Sequence, residues 1–278
     1  CISNDVSPAA LVPDGKIDCG DQPFILLEAV HHNNLGGKGP HSGEEGILFV
    51  AAEYYEGSVR RIHVKLNAIS TYNPWNIWAN GMNGGFGMFN QNSGDSVTVR
   101  FTFWDADLNP IRLPHFSVSV YDMDTDHSHA GVEQVIAHDY QHADLSDTTL
   151  VQSKWITQTR EVFYGTVFGN FDDNPVHVVH QSKLGRDKSV AFTYKDVDEV
   201  MMTMSSTPGI EPRFTQFSLL NALTCKMASE APEPKHHPGA GVVTHHKKPL
   251  IEDAWNHPPM AGKLPMQEAN VDSSFQYV

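Results

Sequence analysis

Residues 96–104, SVTVRFTFW, decide the fold, because apolar and polar side chains alternate strictly along them. Successive side chains of a strand point to opposite faces, so this pattern predicts a strand with one buried and one solvated face. The pattern recurs over 59–69 (VRRIHVKLNAI) and 115–124 (HFSVSVYDMD). Shorter strand candidates, separated by turn sequences, lie at 47–52, 132–138, 162–168, 176–180, 189–194, 199–204 and 213–220. Many short strands at this spacing predict an all-β fold, an antiparallel β-sandwich.

The composition divides the 278-residue chain into three parts. Residues 1–46 are rich in turn-forming residues, and we expect an irregular N-terminal arm with one edge strand at 24–30. Residues 47–225 form the sandwich domain. Residues 226–278 are rich in proline and histidine and predict an extended C-terminal arm that has no core of its own. Its apolar residues are spaced like assembly anchors for a neighbouring subunit: Leu250, Ile251, Trp255, Leu264, Phe275 and Tyr277.

The net charge of -14 argues against nucleic acid and anionic membrane surfaces as partners. The sequence contains no run of 18 or more apolar residues, so it predicts no membrane-spanning helix. A basic-then-apolar leader is not found at the start, so we expect that any targeting segment has been removed. Both a plastid interior (stroma or pyrenoid) and secretion to the cell surface stay open. Cys19 and Cys225 flank the predicted domain and are either bridged or free thiols.

Acidic residues cluster where the strand at 115–124 ends. Carboxylates at alternate positions of a strand end can converge on a hard cation such as Ca²⁺, which prefers oxygen ligands. The predicted calcium ligands are Asp105, Asp107, Asp122, Asp124, Asp126 and Glu133. The first two reach this corner if the strands at 96–104 and 115–122 form a hairpin. The alternative is that Asp122 and Asp124 cap turn amides while the other carboxylates are solvated.

The segment HSHAGVE at 127–133 resembles the first metal motif of cupins, which are β-barrels that bind iron, manganese or zinc. His127, His129 and Glu133 have the required H-x-H-x3-E spacing. Tyr121 and Tyr140 stand where the flanking glycines of that motif would be, and no later histidine clearly matches its second half. The resemblance implies a metal-dependent enzyme. The alternative is a polar loop that contains two histidines.

A long loop is predicted at 70–95, because this segment is rich in asparagine and glycine, which accept the left-handed backbone conformations of tight turns. It carries the aromatic residues Trp75, Trp78, Phe86 and Phe89. These side chains either pin the loop to the domain or form an exposed shelf on which a ligand such as a glycan stacks.

Several motifs follow one another along the central part of the chain: YNPWN (72–76), NGMNGGFGMFN (80–90), SVTVRFTFWDA (96–106), IRLPHFSVSVYDMDTD (111–126), GNFDDNP (169–175) and R-F-x-x-F (213–217). In this order they resemble a family of β-rich proteins expanded in algae with secondary plastids, such as diatoms and dinoflagellates. The lattice-forming pyrenoid shell proteins are similar. The resemblance covers roughly residues 60–220. It implies a sandwich module used for structure or binding, and it supplies no catalytic residues.

These observations favour a non-enzymatic structural protein that assembles with copies of itself into a shell, sheet or filament. Sandwich faces and terminal arms would make the contacts. The alternative is a calcium-dependent glycan-binding or adhesion module, in which the acidic corner holds the cation and the aromatic loop stacks on the sugar. The third hypothesis is a cupin-like metal-dependent enzyme.

Overall fold

The computed structural model describes residues 17–169, 174–175 and 177–227. Within these ranges the strands are β1 (Ile17–Asp18), β2 (Phe24–Asn34), β3 (Gly46–Tyr55), β4 (Ser58–Ala68), β5 (Gly81–Asn83), β6 (Phe86–Gln91), β7 (Ser96–Asp105), β8 (Leu113–Tyr121), β9 (Glu133–Ala137), β10 (His142–Asp144), β11 (Val151–Trp155), β12 (Glu161–Gly165), β13 (Val190–Val197), β14 (Glu199–Ser206), β15 (Arg213–Ser218) and β16 (Lys226–Met227). One α-helix, α1, spans Lys183–Asp187. Among the described residues, no helix has the length and apolar character needed to cross a membrane.

Two antiparallel sheets contain most of these strands. The strand order is β11-β12-β9-β14-β7-β4-β3-β2 in the eight-stranded sheet and β10-β13-β8-β15-β6-β5 in the six-stranded sheet. Neighbouring strands in both sheets pair in the antiparallel sense. The predicted all-β sandwich is therefore confirmed.

The alternating residues of β7 and β8 meet between the two sheets, as their pattern predicted. The buried members of this set are Val97, Val99, Phe101, Phe103, Phe116, Val118 and Val120. The rings of Phe103 and Phe116 cross edge to face with centroids 5.0 Å apart, and those of Phe101 and Phe217 cross at 5.1 Å. Each edge-to-face aromatic pair contributes about 0.5–1.5 kcal/mol of stability beyond the contribution of the apolar area that it buries.

Two segments are more regular than the sequence predicted. The edge strand predicted at 24–30 is present as β2, which continues beyond the prediction to Asn34 and pairs with β3. Two register shifts in β2, at Leu27/Ala29 and at Val30/His32, hide the alternation that would have marked it as a full strand. The predicted loop at 70–95 contains β5 and β6. Conversely, the strand predicted at 176–180 is wrong in its described residues, 177–180, which lie outside any sheet.

A second apolar cluster covers the outer face of the six-stranded sheet. Phe86 of β6 and Tyr121 of β8 point away from the main core and cross edge to face at 4.9 Å. The two-stranded sheet of β1 and β16 adjoins this cluster, and a disulfide joins Cys19 to Cys225 beside it. Of the two alternatives for these cysteines, the structure has the bridge. The six predicted assembly anchors, from Leu250 to Tyr277, lie outside the described residues.

Candidate functional site at the loop end of the sandwich

Several loops leave the two sheets at one end, which we call the loop end: 69–80, 92–95, 122–132, 166–169 and 207–212. The strand register establishes this arrangement. Ser96, where β7 begins, pairs with Ser205 near the end of β14, and Arg213, where β15 begins, pairs with Gln91 at the end of β6. Binding residues are often carried on such loops at one end of a β-sandwich.

Hydrogen bonds connect neighbouring loops of the loop end. The amide of Asn92 donates to the carbonyl oxygen of Asn73 at 3.3 Å. The hydroxyl of Ser93 donates to the carbonyl oxygen of Thr207, also at 3.3 Å. Three loops that are distant in sequence are therefore joined into one continuous surface.

A buried charge cluster lies beneath this surface. The side chain of Lys188 is 0% exposed, and its Nζ lies 2.9 Å from Oδ1 of Asp122 and 2.7 Å from Oδ2 of Asp124. Arg213 binds Asp124 and, through Nε at 3.0 Å, Glu133. The sequence thus predicted correctly that Asp122, Asp124 and Glu133 come together. Positive charge at this corner, which we expected from a calcium ion, is supplied by a lysine and an arginine of the chain itself.

The neighbouring charges shift the titration of this cluster. Burial alone would lower the pKa of Lys188, but Asp122 and Asp124 outweigh it and raise the pKa above its ordinary value. Burial raises the pKa of Glu133, and Asp124 and Asp122 add to the shift while Arg213 opposes it. Lys188 therefore stays charged at neutral pH, and the pKa of Glu133 lies above its ordinary value.

Asp126 has a different role from the other two aspartates of the corner. The carboxylate of Asp126 accepts two hydrogen bonds from Ser128, one from its amide at 3.0 Å and one from its hydroxyl at 2.7 Å. It also accepts from the amide of Gly131 at 3.1 Å and from the amide of Ile210 at 2.7 Å. Burial opposes the charged form, but these donors outweigh it and lower the pKa. A Cβ at Gly131 or Gly209 would collide with this carboxylate. Asp126 therefore organises the loops 122–132 and 207–212 around itself.

Asp105 and Asp107 lie away from this corner, so the prediction that a hairpin brings them there is wrong. The reason is topological: β7 and β8 belong to different sheets. Asp105 precedes the start of β8, whereas Asp122 follows its end, and the nine residues of β8 separate the two by roughly 27 Å. Asp105 instead caps a turn, accepting from the amides of Asp107 and Asn109 at 2.9 Å each.

The two histidines of the cupin-like motif do not converge with Glu133. Nδ1 of His127 lies 2.9 Å from Glu211, and Nδ1 of His129 lies 3.2 Å from the hydroxyl of Thr125. Glu133 turns the other way, into the charge cluster. In the part of the chain that the structure describes, no group of three or more histidine, cysteine or acidic side chains is arranged to hold a metal ion.

The four aromatic residues predicted to form a stacking surface separate into two pairs. Trp75 and Trp78 are 54% and 77% exposed. Phe86 and Phe89 are buried, so for these two the stacking alternative is wrong and the other alternative, that they pin the segment to the domain, holds. Both belong to β6, whose alternation directs Phe89 into the main core and Phe86 into the outer cluster. Only the two tryptophans can therefore stack on a ligand.

A network of amide side chains holds the loop that carries these tryptophans. The side chain of Asn90 accepts from the amide of Asn76 at 2.8 Å and donates to its carbonyl oxygen at 2.7 Å. Oδ1 of Asn80 accepts from the hydroxyl of Tyr72 at 3.0 Å and from Asn90 at 2.9 Å. Asn76 in turn accepts from the amide of Trp78 at 3.0 Å. The backbone beneath the exposed tryptophans is therefore fixed before any ligand arrives.

The loop at 69–80, which we call the tryptophan loop, also contacts β15, the strand that contributes Arg213 to the charge cluster. The ring of Trp75 packs edge-on against that of Phe214 with centroids 5.8 Å apart, and Phe214 follows Arg213 in β15. A cavity of about 20 Å³ beside the cluster is lined by Gln91, Glu133 and Arg213 among others. That is the volume of about one water molecule, so a larger ligand has to bind on the surface.

No local sequence pattern indicates the roles of Lys188 and Arg213. Their partner Asp124 lies 64 and 89 residues away along the chain, respectively. Arg213 belongs to the segment R-F-x-x-F as its first residue. A single basic residue at the start of a strand is compatible with many surface positions, so only the folded topology shows its role.

No protein-family model matches the chain, and no curated protein sequence matches it. One solved structure with a similar course of the chain is the N-terminal domain of the Streptococcus gordonii adhesin Sgo0707, at a TM-score of 0.39 and 9% sequence identity. The match covers 78% of this chain and 59% of that one. At this level the similarity carries no argument about function.

Proposed function

We propose that the chain is a non-catalytic binding module of the adhesive kind, which holds a glycan on Trp75 and Trp78 at the loop end. The observation that carries the proposal is the exposure of these two tryptophans, at 54% and 77%, on a loop that a buried amide network fixes. Large aromatic side chains usually bury most of their surface, and display on a rigid loop is typical of binding sites.

The surroundings of the tryptophans suit a polyhydroxylated ligand. Exposed Asn73 and Asn92 lie on the loops that are hydrogen-bonded beside them, and an amide side chain both donates and accepts hydrogen bonds. An aromatic face that covers apolar C–H groups, bordered by amides that meet hydroxyl groups, matches the two kinds of surface on a sugar ring. Because the loop is already ordered, binding would not have to supply the free energy of ordering it.

Substitution of the tryptophans tests this proposal. We expect the full chain to bind a subset of glycans on an array, and Trp78→Ala to weaken binding of those glycans by about two- to tenfold, since stacking on an aromatic ring contributes about 0.5–1.5 kcal/mol. Trp155→Ala is the matched control, because Trp155 is similarly exposed but is the last residue of β11 and lies outside the loops of the loop end. Equal binding by the Trp78 variant and the control, or no glycan bound by the parent chain, would contradict the proposal.

A chelation arm of the same array tests whether this binding depends on calcium. Lys188 and Arg213 already oppose the negative charge of Asp122, Asp124 and Glu133. We therefore expect binding to survive chelation. Loss of binding on chelation, restored by added Ca²⁺, would instead support the calcium-dependent form.

The compartment and the assembly of the chain are part of the same proposal. The Cys19–Cys225 disulfide favours an oxidising location, so we propose secretion or cell-surface display over a plastid interior. Self-assembly through the predicted C-terminal anchors also stays a proposal. It predicts that deletion of residues 230–278 leaves a folded domain that no longer assembles, and light scattering that shows unchanged particle mass would contradict it.

A further inference from the structure

The loops of the loop end carry no fixed positive charge. Their sequences include neither lysine nor arginine, although the chain has 19 such residues. Lys188 and Arg213, which lie beneath these loops, have side chains that are 0% and 9% exposed, and both bind carboxylates of the buried charge cluster. These loops therefore offer an anionic ligand no lysine or arginine with which to form a charge-assisted hydrogen bond.

Negative charge is frequent in the same loops. Lys188 and Arg213 balance part of it, whereas the carboxylate of Asp126 is held by uncharged amide and hydroxyl donors. Two histidines of these loops can become cationic, but Nδ1 of His127 already lies 2.9 Å from Glu211. An anion on this surface would thus meet like charge. The acidic residues of the loops are Asp95, Asp122, Asp124, Asp126 and Glu211.

The tryptophan loop itself contains no charged residue. Its sequence, ISTYNPWNIWAN, has only apolar, hydroxyl and amide side chains. Exposed Asn73 precedes Trp75 by two positions, and the amide of exposed Asn92 donates to the carbonyl oxygen of Asn73 at 3.3 Å. Asp95 adjoins Asn92, because its amide donates to the carbonyl oxygen of Asn92 at 3.2 Å. An amide side chain can bind a hydroxyl group both as donor and as acceptor, whereas to a carboxylate it offers only its NH₂ group.

We propose that the site on Trp75 and Trp78 selects uncharged glycans and discriminates against glycans that carry a carboxylate or sulfate group. This inference rests on the proposed function, because it names the class of glycan for the same site. An acidic sugar would lose part of its hydration without gaining a cationic partner from these loops, and Asp95 would repel it. An uncharged sugar of the same shape incurs neither cost, so the difference in affinity follows from charge alone.

Glycan pairs that differ only in charge test this inference. Each glycan that the full chain binds on the array is compared with a partner of the same linkage in which a terminal CH₂OH group is replaced by a carboxylate, or the reverse. We expect the uncharged member to bind at least about tenfold more tightly at about 0.15 M salt. The measurement is made at about pH 8, where histidine is ordinarily neutral, so that His127 and His129 do not contribute charge.

Substitution of Asn73 shows whether charge at the site sets this preference. Asn73→Lys adds a cation close to Trp75, and we expect it to reduce the preference for the uncharged member by at least about threefold. Asn73→Gln is the matched control. It lengthens the same exposed side chain without adding charge, so the preference should remain whatever happens to the overall affinity.

The outcomes separate this inference from the proposed function. Equal or tighter binding of the acidic members would overturn the selection of uncharged glycans and leave a glycan-binding site in place. The same preference in Asn73→Lys as in Asn73→Gln would also overturn it, because charge at the site would then not be its cause. A parent chain that binds no glycan, or a Trp78→Ala variant that binds as the Trp155→Ala control does, contradicts the proposed function, and this inference fails with it.

Discussion

Lys188 is a fully buried ammonium group that is paired with two carboxylates. Removal of one partner of a buried ion pair leaves uncompensated charge in a medium of low polarity. We therefore expect Lys188→Met to lower the free energy of unfolding by about 3–5 kcal/mol. Urea unfolding followed by tryptophan fluorescence measures the loss.

Arg112→Met is the control for that experiment. Arg112 pairs with Asp196 at 2.6 Å, but both side chains are more than half exposed. Solvent and salt screen an exposed pair, so this variant should unfold almost as the parent does. If Lys188→Met is no more costly than the control, the buried cluster does not stabilise the loop end.

The lowered pKa of Asp126 predicts how the free energy of unfolding changes as the pH falls. Its folded-state pKa is lowered, so its stabilising effect is complete above the unfolded value of about 3.9 and is lost as the pH falls through the folded value. Asp126→Asn should therefore be less stable than the parent at pH 7, with a deficit that shrinks below about pH 4. Unfolding curves across this range test the expectation, with the exposed Asp107→Asn as control. A deficit that does not vary with pH would show that the charge of Asp126 is irrelevant.

At the scale of elements, alternation predicted the strands in which one face is buried and the other is not. β4, β7 and β8 follow that rule, and they supplied the prediction of the sandwich. β2 was underestimated because its bulges interrupt the alternation. The sequence did not predict β11. Four of its five residues are exposed, and they lie on both faces of the strand, so apolar and polar residues do not alternate along it.

The composition of the tryptophan loop predicted that it would form turns, but not which conformation these turns would have. Asparagine-rich sequence indicated turns, yet it did not show that Asn90, within a strand, would bond both backbone groups of Asn76. Such pairing depends on the approach of two segments 14 residues apart, which no local pattern encodes. For the same reason the exposure of Trp75 and Trp78, against the burial of Phe86 and Phe89, could not be derived from the sequence alone.

Asn90 supports a prediction about this loop. Asn90→Ala should remove the bonds to Asn76 and Asn80 and leave buried polar groups unpaired, lowering the free energy of unfolding by about 1–3 kcal/mol. It should also speed hydrogen exchange at the amides of Asn76 and Trp78. Asn92→Ala is the control, because Asn92 is exposed and its side chain makes a longer bond of 3.3 Å. Unchanged exchange in the Asn90 variant would show that the loop is held by other contacts.

At the scale of the whole molecule, the disulfide closes a span of 206 residues. A crosslink of this length restricts the unfolded chain, and the chain-entropy argument gives about 5 kcal/mol for it. We expect Cys19→Ser with Cys225→Ser to lower the free energy of unfolding by about that amount, as urea unfolding would measure. Cys1→Ser, which leaves the bridge intact, should unfold as the parent does. A difference below about 1 kcal/mol between these variants would indicate that the unfolded chain is already compact.

The same crosslink determines how the domain transmits tension. Cys19 follows β1 and Cys225 precedes β16, the two paired strands of the small sheet, and the chain continues beyond both. A pull applied to the two flanking segments is carried by the sulfur–sulfur bond, and the chain between the two cysteines, which are 206 positions apart, bears no tension. Stretching would add almost no length while the bond is intact. After reduction, the same pull could extract roughly 700 Å of chain, so the redox state would decide whether the domain behaves as a stiff link or as an extensible tether.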